Sequence, residues 1–188
     1  GLGLFASNIE SDYNGAIAYF FEGLKAAKRA SFTRLYNLLL LNISGIYYLK
    51  GDPAGITYAQ ECYQYGHAVG DPFLVLWGSF NSAQMYALMG EYEEALNYIQ
   101  EAEFILQNNE YQGLTLFHTL YGNVLVGLGD EAGAEAYFKE GLLQTEGEKT
   151  SSKANLNLSY GKLLMSQQRF SEAAPLLEEG ILASEASG

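Results

Sequence analysis

The chain has 188 residues, 48% of them apolar and 17% charged, a balance that excludes a disordered chain, and no uninterrupted apolar run approaches the ~20 residues that cross a bilayer. A net charge of −12 argues against nucleic acid as a partner, because phosphates need a basic track. The single cysteine, Cys62, excludes an internal disulfide and a cysteine metal cluster, and points to a reducing cytoplasm.

The opening Gly1-Leu2-Gly3-Leu4 has neither an initiator Met nor a charged leader, which reads as a fragment of a larger protein without a signal peptide in view. Residues 1–10 are expected to be the remnant of a first helix. Helices are then predicted over 12–29, 31–49, 53–69, 72–89, 91–108, 111–128, 131–146, 150–167 and 171–185, each about 25 Å long. Asp52-Pro53 and Asp71-Pro72 place an N-cap before a proline at the first helical position. Ser171, followed by Glu172, is expected to cap the last helix.

Charge is uneven along this series. All ten Lys and Arg lie between Lys25 and Lys50 or between Lys139 and Arg169. The stretch from Gly51 to Phe138 holds twelve acids and no base, so the whole excess sits in the middle. A solvated acidic face is the ordinary explanation, and a basic partner is the sharper one.

Self-similarity organises the rest. Gly51-Asp52, Gly90-Glu91 and Gly129-Asp130 recur every 39 residues, and the next interval lands on Gln168-Arg169. Ala16, Ala95, Ala134 and Ala173 share one position, with Gly23, Ala102, Gly141 and Gly180 two turns further on. Ser44, Ala83, Gly122 and Gly161 fall on the preceding helix, seven residues before each turn marker. Small side chains at facing positions let antiparallel helices approach closely, and glycine in a helix costs about 0.5–1 kcal/mol relative to Ala unless packing requires it.

The series Ala83, Tyr86, Gly90, Tyr92, Ala95 and Ala102 resembles the tetratricopeptide repeat. Gly122, Gly129, Asp130, Ala134, Phe138 and Gly141 repeat it with Leu125 where an aromatic is usual, and Gly161, Phe170, Ala173, Leu177 and Gly180 repeat it again. The 39-residue period exceeds the family's usual 34, which resembles its long-repeat branch of MalT-type activators and bacterial signalling proteins. The resemblance implies an all-α fold, a right-handed superhelical array of antiparallel helix hairpins. About 4.5 repeats make one domain over 1–188: a half repeat at 1–30, then 31–70, 71–109, 110–148 and 149–188.

In this family the first helix of each pair lines the concave groove. Carried through the register, those positions are Leu38, Leu41, Asn42, Gly45 and Tyr48, then Trp77, Phe80, Asn81, Gln84 and Leu88. They continue as Leu116, Thr119, Leu120, Asn123 and Val126, then Asn155, Leu158, Ser159, Lys162 and Met165. Leu41, Asn42, Tyr48, Trp77, Phe80, Asn81, Gln84, Thr119, Asn123, Asn155 and Lys162 are the candidate partner-binding set. Amides bond the backbone of a bound segment without reading its sequence, and aromatics supply anchoring area. The competing reading is interhelical packing, which explains most aromatics at helical spacing. It also accounts for most of the fifteen Tyr. With Lys162 as the one cation in the set, the carboxylate clamp of chaperone-binding members is not expected.

No catalytic, metal or cofactor site is expected. His67 and His118 are the only histidines, and Cys62 with His67 is a spacing that separates the two around a helix. Glu93-Glu94 and Glu178-Glu179 read as solvated carboxylates, and Gly1-Leu2-Gly3 lacks the strand-turn-helix setting of a phosphate loop. The expectation is therefore a protein-interaction or sensor module of a bacterial signalling or transcription-regulatory protein, not an enzyme, whose output domain lies outside this sequence. Its partner would be a protein or peptide segment, basic on the sharper reading of the charge. A small-ligand or signalling-peptide receptor and a homodimerisation scaffold are the alternatives.

Overall fold

The computed structural model describes residues 12–109, 114–145 and 150–187. Those residues hold nine α-helices and no strand: α1 (Tyr13–Arg29), α2 (Thr33–Leu49), α3 (Ile56–Val69), α4 (Pro72–Met89), α5 (Tyr92–Gln107), α6 (Leu114–Gly127), α7 (Glu131–Gln144), α8 (Ser151–Ser166) and α9 (Phe170–Ser187). The remnant helix expected over 1–10, the start of the helix expected from 111 and the end of that expected to 146 lie outside the described residues.

Capping explains where these helices begin. Asp12 accepts from Gly15 N, Asp71 from Phe73 N and Leu74 N, and Asp130 from Gly133 N, each satisfying amides that the first turn leaves without helical partners. Asp52 does the same for Ala54 N, but there the chain first makes a 3-10 turn, Pro53–Gly55, so that α3 starts at Ile56 and not at Pro53. Thr150 caps α8 by accepting from Lys153 N, a role the sequence reading missed. The last helix starts at Phe170, which puts Ser171 inside its first turn and not at the cap as expected. Arg169 O accepts from Ala173 N, as Asp130 O does from Ala134 N, so the register places the helix start one residue earlier.

The turn markers have a backbone meaning. Gly51, Gly90 and Gly129 have φ of 66°, 78° and 81°, and Gln168, at the same register position, has φ of 62°. Each closes the first helix of a hairpin: the following N–H reaches back to Tyr47 O, Tyr86 O, Leu125 O or Leu164 O, the left-handed helix stop that favours glycine. At Gln168 a side chain occupies that conformation against its preference. Gln168→Gly should therefore stabilise the chain by about 0.5–1 kcal/mol, read as a higher urea midpoint at unchanged slope.

The chain forms two compact units, Gly1–Asn109 and Glu110–Gly188. In the first, α4 packs on α2, α3 and α5 at once. That is why ten of its residues, among them Leu74, Leu76, Phe80, Ala83 and Met85, are buried, and why it is apolar nearly all round. Ala16, Phe20, Leu24, Leu40, Ile43, Ile46, Cys62 and Leu74 form one core of this unit. In the second, Ala134, Phe138, Leu156, Tyr160, Leu163, Leu164 and Ala173 form the core, with α6 and α8 packed side by side and α7 and α9 against them.

The small-residue register is realised as close packing. Ala16, Ser44, Ala83, Ala95, Ala102, Ala134 and Ala173 are fully buried. A Cβ added at Gly161 would lie 2.6 Å from Leu177 Cδ2, and one at Gly180 would lie 2.8 Å from Leu158 Cγ. Contacts between consecutive repeats recur near the period: Lys50 to Asn14 at a separation of 36, Arg34 to Asp71 at 37, Tyr63 to Glu101 at 38, Asn81 to Leu41 at 40 and Gln167 to Glu131 at 36. Residues near equivalent positions of neighbouring repeats thus meet, four such contacts lying in the first unit and Gln167 to Glu131 in the second.

Candidate partner-binding faces

In the first unit, α2 and α4 carry the expected positions. Leu41, Asn42, Tyr48, Trp77 and Gln84 are half-buried, while Phe80 and Asn81 are 5% and 8% exposed. An aromatic run lies along α4: the Phe73 and Trp77 rings are 6.3 Å apart, and Trp77 meets Phe80 edge-on at 5.5 Å. The two asparagine amides are already engaged. Asn81 Nδ2 donates to Leu41 O at 3.0 Å and so ties α4 to α2, and Asn42 Nδ2 donates to Leu38 O at 2.7 Å within its own helix. Burial pushes the Tyr48 phenol above its ordinary value, which keeps it neutral.

In the second unit, α6 and α8 carry the other four. Thr119 is half-buried and donates to Thr115 O at 2.8 Å. Asn123, Asn155 and Lys162 are exposed, beside Val126 at 39% and Met165 at 44% exposure. The two units differ accordingly: the first offers aromatic area with its asparagine amides bonded to main-chain carbonyls, the second offers open polar groups beside exposed apolar ones.

One feature was missed by following charge along the chain instead of helix by helix. The first helices of the hairpins, α2, α4, α6 and α8, contain no Asp or Glu. Every described acid lies on a second helix or in a turn. The charges that the first helices do carry are cations. Arg34 pairs with Asp71 at 2.8 Å and lies 5.6 Å from the Phe73 ring centre, Lys153 pairs with Glu179 at 3.2 Å, and Lys162 has no ion pair among the described residues. Burial holds the His118 imidazole below its ordinary value, so this α6 residue is neutral near pH 7.

The second helices carry polar clusters that tie repeats together. On α3 and α5, Tyr63 donates to Glu101 at 2.7 Å and His67 Nε2 lies 2.8 Å from the same carboxylate. Cys62 faces the other way, fully buried toward Leu74 O, with burial pushing its thiol up to about 12. Cys62 and His67 are therefore separated, as the spacing implied. No group of three or more His, Cys, Asp or Glu among the described residues is placed to hold a metal ion, and no helix among them is long and apolar enough to cross a membrane.

The densest cluster joins α7, α8 and α9. Arg169 makes a fork to Glu135 at 2.7 and 3.0 Å and a second to Glu172, while Glu135 also accepts from Lys139 at 2.7 Å and from Tyr160 at 3.0 Å. Hydrogen bonds from Arg169, Lys139 and Tyr160 and the two cations outweigh burial and hold the Glu135 carboxyl at about 2. Because its folded value lies below its unfolded one, this group adds stability at neutral pH that is lost as pH falls from about 4.5 through about 2. Glu135→Gln is expected to cost about 1–2 kcal/mol at pH 7, between an exposed and a buried pair. It should also flatten the acid limb of the stability curve, measured by urea melts between pH 2 and 7.

No protein-family model and no curated protein matches this sequence. Solved structures do. A Rap protein complexed with competence and sporulation factor superposes with a TM-score of 0.84 at 15% identity, covering 98% of this chain and 52% of its own. NprR in complex with its cognate peptide NprX gives 0.77 at 17% identity, over 98% of this chain and 54% of its own. MamA gives 0.55 at 16%, over 96% and 93%. The fold is therefore the tetratricopeptide-like array of helix hairpins, and the chain spans about half the length of the Rap and NprR chains.

Proposed function

We propose that this chain is a partner-binding regulatory module that holds a protein or peptide segment against its first helices and performs no chemistry itself. The observation that supports this most directly is the segregation of charge: four first helices free of carboxylates, with Trp77, Leu41, Val126 and Met165 incompletely covered, backed by second helices that carry the acids. Within each unit, a pair of first helices of this kind loses little solvation when a segment covers it. Rap, complexed with competence and sporulation factor, and NprR, in complex with its cognate peptide, share the fold, and a regulatory peptide or partner protein in a bacterial cytoplasm is the corresponding occupant here. The 39-residue period fits the long-repeat branch in which sensing and partner binding are joined to an output domain.

Trp77 is the only tryptophan, so α4 carries its own reporter. Peptides selected on the intact chain from a random library should shift Trp77 emission, and Trp77→Ala should weaken them about tenfold or more, as loss of an aromatic anchor does. Glu93→Gln on α5 should leave them unchanged. Binding that responds to Glu93→Gln and ignores Trp77→Ala would place the partner on the second helices and defeat this reading.

A further inference from the structure

The second unit's face identifies the chemistry of a segment it would take, an inference that rests on the first-helix reading above. α6 and α8 pack side by side, and residues near equivalent positions of neighbouring repeats meet within a unit. The 39-residue register therefore pairs Asn123 with Lys162 and Val126 with Met165 across the two helices. All four are exposed. The upper pair offers an amide and an ammonium, the lower pair two apolar side chains.

Charge decides what complements this face. Neither α6 nor α8 contains an Asp or Glu, so no carboxylate on either helix competes for Lys162. The other described cations of the unit are committed: Lys139 to Glu135, Lys153 to Glu179, Arg169 to Glu135 and Glu172. A basic segment would find only like charge on these two helices, and a nucleic acid would find one free cation among the described residues of the unit where several phosphates need neutralising. An anionic group opposite Lys162 is attracted and meets no carboxylate on α6 or α8.

Spacing adds the rest. Lys162 and Met165 are three residues apart on α8, a rise of about 5 Å. An extended segment advances about 3.3 Å per residue, so it spans this distance in one or two residues. We propose that the α6/α8 face takes an extended partner segment in which an apolar side chain lies one or two residues from an Asp or Glu. Its carboxylate pairs with Lys162, its apolar side chain lies across Val126 and Met165, and Asn123 bonds its main chain through an amide that both donates and accepts.

The test is selection of a random peptide library of roughly 12 residues on the full chain at low salt, where a surface ion pair is least screened. The enriched peptides should carry an acid within two residues of an apolar side chain. Lys162→Glu should weaken them about tenfold, whereas Lys162→Arg should hold their affinity within about twofold. Lys162 is exposed, so neither variant threatens folding, and a matched urea midpoint confirms it. Enriched peptides that are basic or uncharged, or acidic peptides that bind Lys162→Glu as tightly as the parent, overturn the proposal. Peptides lost with Trp77→Ala but indifferent to Lys162→Glu overturn it while leaving the first-helix reading in place. Peptides indifferent to both substitutions overturn both.

Discussion

Gly78→Ala is expected to lower stability by about 2 kcal/mol, and Gly45→Ala to raise it by about 0.5–1 kcal/mol. Both glycines lie inside helices, so each substitution gains the same intrinsic helix preference, about 0.5–1 kcal/mol. Their surroundings differ. A Cβ at Gly45 on α2 has no neighbour within 4 Å, whereas one at Gly78 on α4 would lie 2.8 Å from the Cα and N of Tyr63 on α3. Those atoms are backbone in a helix and cannot rotate aside, so α3 and α4 must separate. The separation undoes contacts along the whole interface between α3 and α4, and overpacking of this kind costs about 1–3 kcal/mol. Gly78→Leu should prevent the unit from folding. Urea melts followed by the emission of Trp77, next to Gly78 in sequence, measure both. Equal effects at the two glycines would mean that the helices are not in backbone contact.

The contrast between these glycines also explains what was legible in the sequence. Gly51, Gly90 and Gly129 stand at one register position, and periodicity alone picks them out as turns before any φ is known. The same periodicity finds Ala134 and Gly141, because every repeat meets the same constraint at the same place. Gly78 has no such counterpart: 39 residues away stand Leu39 and Phe117, so its tight contact belongs to the single junction of α3 with α4 and leaves no repeated trace. Gln168 is the converse case, where the position is legible but the residue is not the one the conformation favours. Two repeats after Gly90, the backbone keeps its left-handed turn despite the side chain, since the packing of α8 on α9 fixes the reversal.

The candidate faces rest on register, which proposes levels shared by α2 and α4 and, separately, by α6 and α8, but does not tell which of their polar groups are occupied. Asn81 and Asn123 look alike in sequence, yet Asn81 is bonded to Leu41 O and Asn123 is exposed. That difference depends on how far α2 lies from α4, which a single sequence does not encode. The acid-free first helices were readable from the start, had charge been followed by helix. Counted along the chain, the acids of α3, α5 and α7 merge into one acidic middle, and the alternation between layers disappears.

Phe138→Ala is expected to cost about 3–5 kcal/mol, the range for emptying a fully enclosed aromatic site. Phe138 is fully buried at the centre of the second unit, with its ring 5.7 Å from that of Tyr160. It also lies against Gly122, where an added Cβ would come within 2.6 Å of its Cζ. The two positions are therefore coupled through a shared volume. Gly122→Ala alone should cost about 2 kcal/mol, because the collision with an immobile ring exceeds the gain in helix preference. Once the ring is removed, the methyl group at 122 enters space that Phe138→Ala has emptied, and the same substitution should become neutral or favourable. A double-mutant cycle should then give a coupling of about 2 kcal/mol, well above the ~0.5 kcal/mol scatter of independent sites. Additive costs would show that α6 and α7 do not meet at this pair. The repeated small residue opposite an enclosed aromatic would then have some other cause than the close approach of the two helices.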